Sequence, residues 1–166
     1  MKRSQFFVGA IGLALASGAR ASAFPYAVSK SAAAWLKKLG PARFGILRDG
    51  DTEAPYSSPL DKEFAPGIYQ CAGCNQAAFS STTKYHSGEG WPSFWDVLPN
   101  AVRYKKDYEL IGEVRTEVHC SRCGGHLGHR FHDGPQPTGL RYCIDGLALR
   151  FIPKSAAEHA RGRGES

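Results

Sequence analysis

The 166-residue chain lacks the marks of several protein classes. Beyond its first two dozen residues there is no apolar run near the roughly 20 residues that a membrane-spanning helix requires. Glycine and proline number only 19 and 10, enough for a turn-rich fold but too few for a collagen or a low-complexity chain. No repeat appears apart from two CxxC units, and the length is that of one domain at about 150 residues each. Excess charge is small. The formal value is +6, and Lys2, Arg3 and Arg20 supply three of these charges inside 23 residues that contain no acid, so the remainder carries +3. That is too little for the electrostatic footprint of a nucleic-acid or membrane-surface binder. The five cysteines cannot all pair within one chain, which excludes a fully disulfide-bonded scaffold.

The first apolar stretch is an address. Lys2-Arg3 precede an apolar run from Phe6 to Ala16 and then small residues ending Ala21-Ser22-Ala23. This is the order of a secretory signal peptide, over residues 1–23, with cleavage expected near Ala23-Phe24. The expectation is export, most simply to a bacterial periplasm, with no membrane span after cleavage. Basic residues ahead of Phe6 leave the Sec and twin-arginine routes both open.

After the leader, residues 24–50 read as a helical lead-in. Ser31 caps Ala32-Ala-Ala-Trp35-Leu36-Lys-Lys-Leu39, Gly40-Pro41 ends it, and Phe44–Arg48 forms a further helical turn. Residues 51–154 change texture to short apolar or alternating runs. Strands are expected over Gly67–Cys71, Ala77–Ser80, Glu109–His119, Leu127–Phe131 and Leu147–Ile152. Arg141–Ile144, Asp145-Gly146 and Leu147 together read as a hairpin, since Asp-Gly suits a two-residue turn. Residues 155–166 read as a tail. The expected fold is mainly β, two antiparallel sheets in a barrel-like single domain with short N-terminal helices, clamped by a four-cysteine zinc site.

That clamp is read from Cys71-Ala-Gly-Cys74 and Cys120-Ser-Arg-Cys123, separated by 45 residues. Each CxxC turn presents two sulfurs to one side of a tetrahedron, and two turns close a zinc site without an open position, so the metal is structural. Two disulfides, or redox-active CxxC pairs, are the alternatives in an exported protein.

Cys143 is left over. A lone cysteine is ordinarily a small buried hydrophobe. Here Arg141 lies two residues away on the same strand face, where a cation favours thiolate, and His126, His129 and Asp133 lie upstream. A cysteine with separate histidines is the grouping of an activated thiol nucleophile. The stretch Ser87-Gly88-Glu89-Gly90-Trp91-Pro92-Ser93-Phe94-Trp95 could place an indole on one wall of a small apolar pocket. Core packing is at least as good a reading of Phe94 and Trp95.

These motifs have a counterpart. From about Trp35 to Pro153 the sequence resembles type B methionine sulfoxide reductases, the family that reduces the R epimer of methionine sulfoxide. The resemblance runs through Thr52-Glu53-Ala-Pro-Tyr-Ser-Ser-Pro, Gly67-Ile-Tyr-Gln-Cys71-Ala-Gly-Cys74, Ser87–Phe94, His126-Leu-Gly-His129 with Phe131, and Asp133-Gly-Pro-Gln-Pro-Thr-Gly-Leu-Arg-Tyr-Cys143-Ile. It implies a fold of two antiparallel sheets, a structural zinc ion on Cys71, Cys74, Cys120 and Cys123, and Cys143 as nucleophile. It puts His126, His129 and Arg141 at active-site positions, with Asp145 beside them. Trp91 falls on the wall that holds the substrate methyl, and Phe131 and Asp133 are further candidates for binding substrate. Two departures stand out. Glu89 occupies a position where many members carry a recycling cysteine, and Asp145 stands where the family usually has Asn. The latter replaces a donor-acceptor by an acceptor with a possible negative charge, which raises a nearby thiol pKa unless Arg141 or a protonated histidine offsets it.

The expected activity is that of an oxidoreductase acting on sulfur with a disulfide as acceptor. Cys143 thiolate attacks the sulfoxide sulfur, His126 or His129 protonates the departing oxygen, and a sulfenic acid forms. With four cysteines on zinc and Glu89 at the recycling position, an external thiol completes the cycle, either a thioredoxin-like protein or a small thiol. A monomer is the default. Two rival classes stand beside this: a non-catalytic zinc-clamped binding module, and a CxxC thiol–disulfide oxidoreductase.

Overall fold

The computed structural model describes residues 26–108 and 114–155. The leader, the segment 109–113 of the expected Glu109–His119 strand, and nearly all of the tail lie outside the described residues. Among those described, no helix is long and apolar enough to cross a membrane.

Helix α1 spans Ala32–Phe44 and starts where Ser31 accepts a hydrogen bond from the Ala34 amide at 3.3 Å. Gly40 leaves the helical region at φ 71°, ψ 166°, and the chain re-enters it at Pro41, whose fixed φ suits a first turn. The helix is thus kinked at Gly40-Pro41 rather than ended. A π-helical turn over Gly45–Asp49 follows and closes on Gly50 at φ 81°. Trp35, Leu39, Ile46 and Leu47 are the buried face of this lead-in.

Among the described residues nine strands follow: β1 Gly67–Cys71, β2 Ala77–Ser80, β3 Lys84–Tyr85, β4 Ser93–Phe94, β5 Val102–Asp107, β6 Arg115–Cys120, β7 His126–Phe131, β8 Arg141–Ile144 and β9 Leu149–Pro153. They form two antiparallel sheets, β2-β1-β9 and β3-β4-β8-β7-β6-β5. Among the described residues neither sheet closes into a barrel. Tyr69, Phe79, Phe94, Tyr142 and Phe151 pack between them, with Phe79 stacked on Phe94 at 4.5 Å and Tyr69 at 5.0 Å from both Phe94 and Phe151. Phe94 is therefore core.

Two strand expectations need correction. The Asp145-Gly146 hairpin does not form: Asp145 has φ −63°, ψ 124°, and Gly146–Ala148 is a 3-10 turn that carries the chain from one sheet into the other. Strand β9 pairs with β1 from Gly67↔Pro153 to Cys71↔Leu149, and β8 pairs with β4 and β7. The local turn preference of Asp-Gly yields because the Asp145 side chain and the Gly146 amide are taken up by the distant Glu53. Strand β5, Val-Arg-Tyr-Lys-Lys-Asp, was not anticipated, because its charges hide the alternation. It is the sheet's edge, where lysines guard against unwanted pairing.

Candidate active site

Register places the functional residues in one row across the six-stranded sheet. Lys105 of β5 lies opposite Glu117 of β6, which lies opposite His129 of β7, then Cys143 of β8, then Ser93 of β4. Directly opposed side chains on one face sit ~5 Å apart at Cβ. In β8, Tyr142 and Ile144 point into the core, and Arg141 and Cys143 share the other face.

Strict alternation would put His126 and His129 on opposite faces of β7, because three residues is an odd spacing. A register shift between Val118 and His119 and the unusual backbone of Gly128, at φ 145°, absorb the extra residue. The two imidazoles then meet edge to face, their centroids 5.4 Å apart. A Cβ on Gly128 would come within 2.1 Å of the Cys143 carbonyl oxygen, so this close approach of β7 to β8 needs glycine.

Cys143 is half-buried and opens onto a cavity of about 140 Å³, lined by Thr52, Trp91, Arg115, Gly128, His129, Phe131, Cys143 and Asp145. Burial pushes the thiol up to about 11; Arg141 pulls it back, while Asp145 and Glu89 push the same way as burial. The cation expected to make a resting thiolate is thus outweighed.

Each histidine has its own acid. His129 Nε2 is 2.7 Å from Asp107 Oδ2, the oxygen that also accepts from Arg115 Nη2 at 2.6 Å. Burial holds His129 below its ordinary value, although Asp107 raises it. His126 Nδ1 is 2.9 Å from Glu117 Oε1, and its Nε2 faces Asp145 Oδ2 at 3.6 Å, an ion-pair separation longer than a hydrogen bond. Burial lowers His126, but the two carboxylates together raise it to about 9.

Glu53 ties the cavity walls together. Its carbonyl accepts from Trp91 Nε1 at 3.1 Å, and its amide donates to Asp145 Oδ1 at 3.0 Å. Its carboxylate accepts from the Gly146 and Leu147 amides at 2.6 and 2.9 Å. Trp91, Phe131 and Asp145 line the cavity with Cys143. Arg141 and Asp133 lie beside it, joined by bonds of 2.9 and 2.7 Å, with the Arg141 guanidinium 4.4 Å over the Phe131 ring. Asp133 therefore meets Arg141, not the cavity. Glu89 is exposed on its loop. Sequence reasoning missed Thr52, Glu53, Asp107, Arg115 and Glu117. Thr52-Glu53 stood inside a quoted motif, but the others carried no local signal.

The four remaining cysteines converge. Cys71 and Cys120 end strands β1 and β6, and Cys74 and Cys123 follow in turns of matching design. The Asn75 amide donates to Cys71 O, and the Gly124 amide to Cys120 O, both at 2.9 Å. Asn75 and Gly124 both take positive φ, 60° and 66°. All four sulfurs are buried and lie within 4.8 Å of one another. The Cys71–Cys123 and Cys74–Cys120 separations are 3.7 and 3.5 Å. A tetrahedron with ~2.3 Å bonds to zinc has edges of ~3.8 Å, so these two separations match the edges of such a site and the four thiols suit a metal ion. The lead-in packs here, with Arg48 Nη1 donating to Cys123 O at 3.1 Å.

Known proteins are similar to this chain in sequence. The SelR domain matches residues 39–153. A protein of Methanosarcina barkeri named peptide methionine sulfoxide reductase MsrB is 51% identical over 138 residues, covering 82% of this chain and 96% of its own length. MsrB proteins of Leptospira interrogans and Agrobacterium fabrum are 49% and 48% identical over 126 and 127 residues. Each alignment covers 76% of this chain, and 96% and 93% of those proteins respectively. A domain match over most of the chain, with relatives this similar along nearly their whole length, means that the chain belongs to the SelR-domain family of MsrB peptide methionine sulfoxide reductases.

Proposed function

We propose that the protein reduces peptide-bound methionine-R-sulfoxide to methionine at Cys143, with Trp91 and Phe131 receiving the substrate's apolar end. It is an oxidoreductase of the peptide methionine sulfoxide reductase class. The observation that carries the assignment of the nucleophile is the juxtaposition of Cys143 with His129 across the β7–β8 ladder, at a cavity walled by an indole. A binding module has no need of a thiol facing an acid-paired imidazole. The convergence of all four CxxC sulfurs on one point favours a shared metal over two redox pairs.

The resting sulfur is a thiol, so activation accompanies substrate binding. Protonation of the sulfoxide oxygen by an imidazole, directly or through water, makes its sulfur electrophilic, and Cys143 gives up its own proton as it attacks. The oxygen passes to Cys143, so thiol and sulfoxide become sulfenic acid and thioether. An external thiol, thioredoxin-like or small, then displaces water to form a mixed disulfide, and a second thiol releases Cys143. Glu89 at the loop position beside Trp91 leaves no neighbouring cysteine to do this within the chain. Arg141, held by Asp133 and stacked on Phe131, tempers the thiol from the rim. Asp145 lies within the cavity. Cys71, Cys74, Cys120 and Cys123 would hold zinc, which would clamp β1 to β6 in a structural role and leave the substrate chemistry to Cys143. Residues 1–23 direct export to a periplasm.

The purified mature domain, assayed with dithiothreitol on separated epimers, reduces the R form and not the S form. Cys143→Ser abolishes turnover and retains metal and fold. Detection of a disulfide from Cys143 to Cys71, Cys74, Cys120 or Cys123 during turnover, with zinc release, would refute the one-cysteine cycle.

A further inference from the structure

We infer that Asp145, His126 and Glu117 form a carboxylate–imidazolium–carboxylate relay that carries a proton between the Cys143 cavity and the adjoining groove at Lys105. The inference rests on the Cys143 chemistry above and names the route by which its proton arrives.

His126 is 6% exposed, and its Nε2 is buried without a hydrogen-bond partner. In either neutral tautomer one ring nitrogen would aim a lone pair at a carboxylate, at Glu117 or at Asp145, with nothing to offset the lost hydration. With both nitrogens protonated, both N–H groups face acceptors. Asp145 cannot turn away, because its Oδ1 is held by the Glu53 amide at 3.0 Å and Oδ2 is left toward Nε2.

Charge agrees. The groups facing His126 are Glu117 from β6, Asp145 from the segment after β8, and His129 within β7. His119 lies across the β6–β7 ladder, and Lys105 of β5 acts through Glu117 Oε2 at 2.9 Å. Burial disfavours the charged form of both His119 and His129, so the two acids confront His126 and Lys105 as the local cations. The same two acids hold His126 up to about 9 despite its burial.

Placement supplies the direction. Asp145 lines the Cys143 cavity and His126 does not, whereas His126, Glu117 and Lys105 line a groove of about 540 Å³ on the same face of the sheet. A substrate filling the small cavity blocks water from that side, but the groove, which His129 also lines, still reaches His126. His129, which favours the neutral form, is left to receive the Cys143 thiol proton. The imidazolium side delivers one to the sulfoxide oxygen through Asp145 Oδ2. One proton enters and one leaves. The sulfoxide S–O bond breaks, the Cys143 S–O bond forms, and two electrons pass from Cys143 to the substrate sulfur. Opposed pKa shifts on two neighbouring imidazoles mark such a division of acid and base.

The test uses the full-length protein labelled with 15N-histidine, and Glu117→Gln, which leaves every cavity-lining residue in place. We expect both nitrogens of His126 to be protonated at about pH 7.5, with a lower titration midpoint in Glu117→Gln. The single-turnover rate of Cys143 oxidation by a methionine-R-sulfoxide peptide should fall about tenfold at alkaline pH and little at pH near 6, with KM unchanged. A neutral His126 in the wild-type protein, or a pH–rate profile of Glu117→Gln that superimposes on wild type, overturns the relay. A wild-type protein whose Cys143 the sulfoxide does not oxidise overturns the proposed activity instead, independently of the His126 spectrum.

Discussion

Gly128→Ala separates the role of the β7–β8 approach from that of the residues it carries. The added Cβ would lie 2.1 Å from the Cys143 carbonyl oxygen and 2.9 Å from the Ile144 Cα, both backbone atoms that no rotamer change can remove. Gly128 also sits at φ 145°, a conformation an L side chain rarely adopts. Backbone strain of that kind costs about 1–3 kcal/mol, and relieving the overlap requires parting two central strands. Together the cost is on the order of 4 kcal/mol, at the upper end for one substitution. The comparison is Gly139→Ala: Gly139 also has positive φ, 69°, but nothing lies within 4 Å of its Cβ, so only about 1 kcal/mol is expected. Urea denaturation of both variants measures the difference, and single-turnover oxidation of Cys143 reports whether His129 still faces it. A Gly128→Ala variant that unfolds within about 1 kcal/mol of Gly139→Ala and keeps wild-type single-turnover rates would refute the need for glycine at this approach.

Other perturbations probe the remaining parts. Trp91→Ala removes the indole wall and should raise KM roughly tenfold to a hundredfold. Trp91→Phe, which keeps an apolar ring and loses only the bond to Glu53 O, costs about 1 kcal/mol of stability; equal KM values for the two variants would contradict the wall. Elemental analysis should find one zinc per chain, and Cys71→Ser or a strong chelator should remove it and lower the melting temperature steeply, since binding to such a site is worth on the order of 10 kcal/mol. The Glu117–His126 pair sets a pH window for stability. His126 donates to Glu117 and holds it near 2, below its ordinary 4.5, so that contribution is present above 4.5 and is lost as pH falls toward 2. His126, raised from 6.5 to about 9, contributes fully below 6.5 and loses its share as pH rises through 9. Denaturation midpoints across pH should therefore be flatter on the alkaline side in Glu117→Gln than in wild type, and a parallel curve would refute the pairing.

Where chemistry is local, it could be read from the chain. Each CxxC turn builds its own two-sulfur face, and Arg141 and Cys143 share a strand face because two residues is one strand period. What could not be read is non-local. Asp107 and Glu117 sit in strands whose charges look like solvated edges, and they become acid partners only because β5 and β6 are laid beside β7. His-x-x-His says nothing of a shared face until Gly128 and the register shift are known.

Asp145-Gly146 carries the same lesson into function. As a dipeptide it signals a hairpin, and a hairpin there would have returned β9 along β8, giving β8 a neighbour other than β4 or β7. The carboxylate of Glu53 takes the Gly146 and Leu147 amides, its own amide takes Asp145 Oδ1, and the chain leaves for the other sheet. Strand β8 is thereby free to pair on both sides, with Ser93 and with His129, and Cys143 is flanked by functional strands instead of by a returning turn. The residue that defeats the local turn also orients Asp145 toward His126 and tethers Trp91. One buried glutamate at position 53 thus decides the topology and the geometry of the cavity together, and a change that restored the hairpin would remove the site.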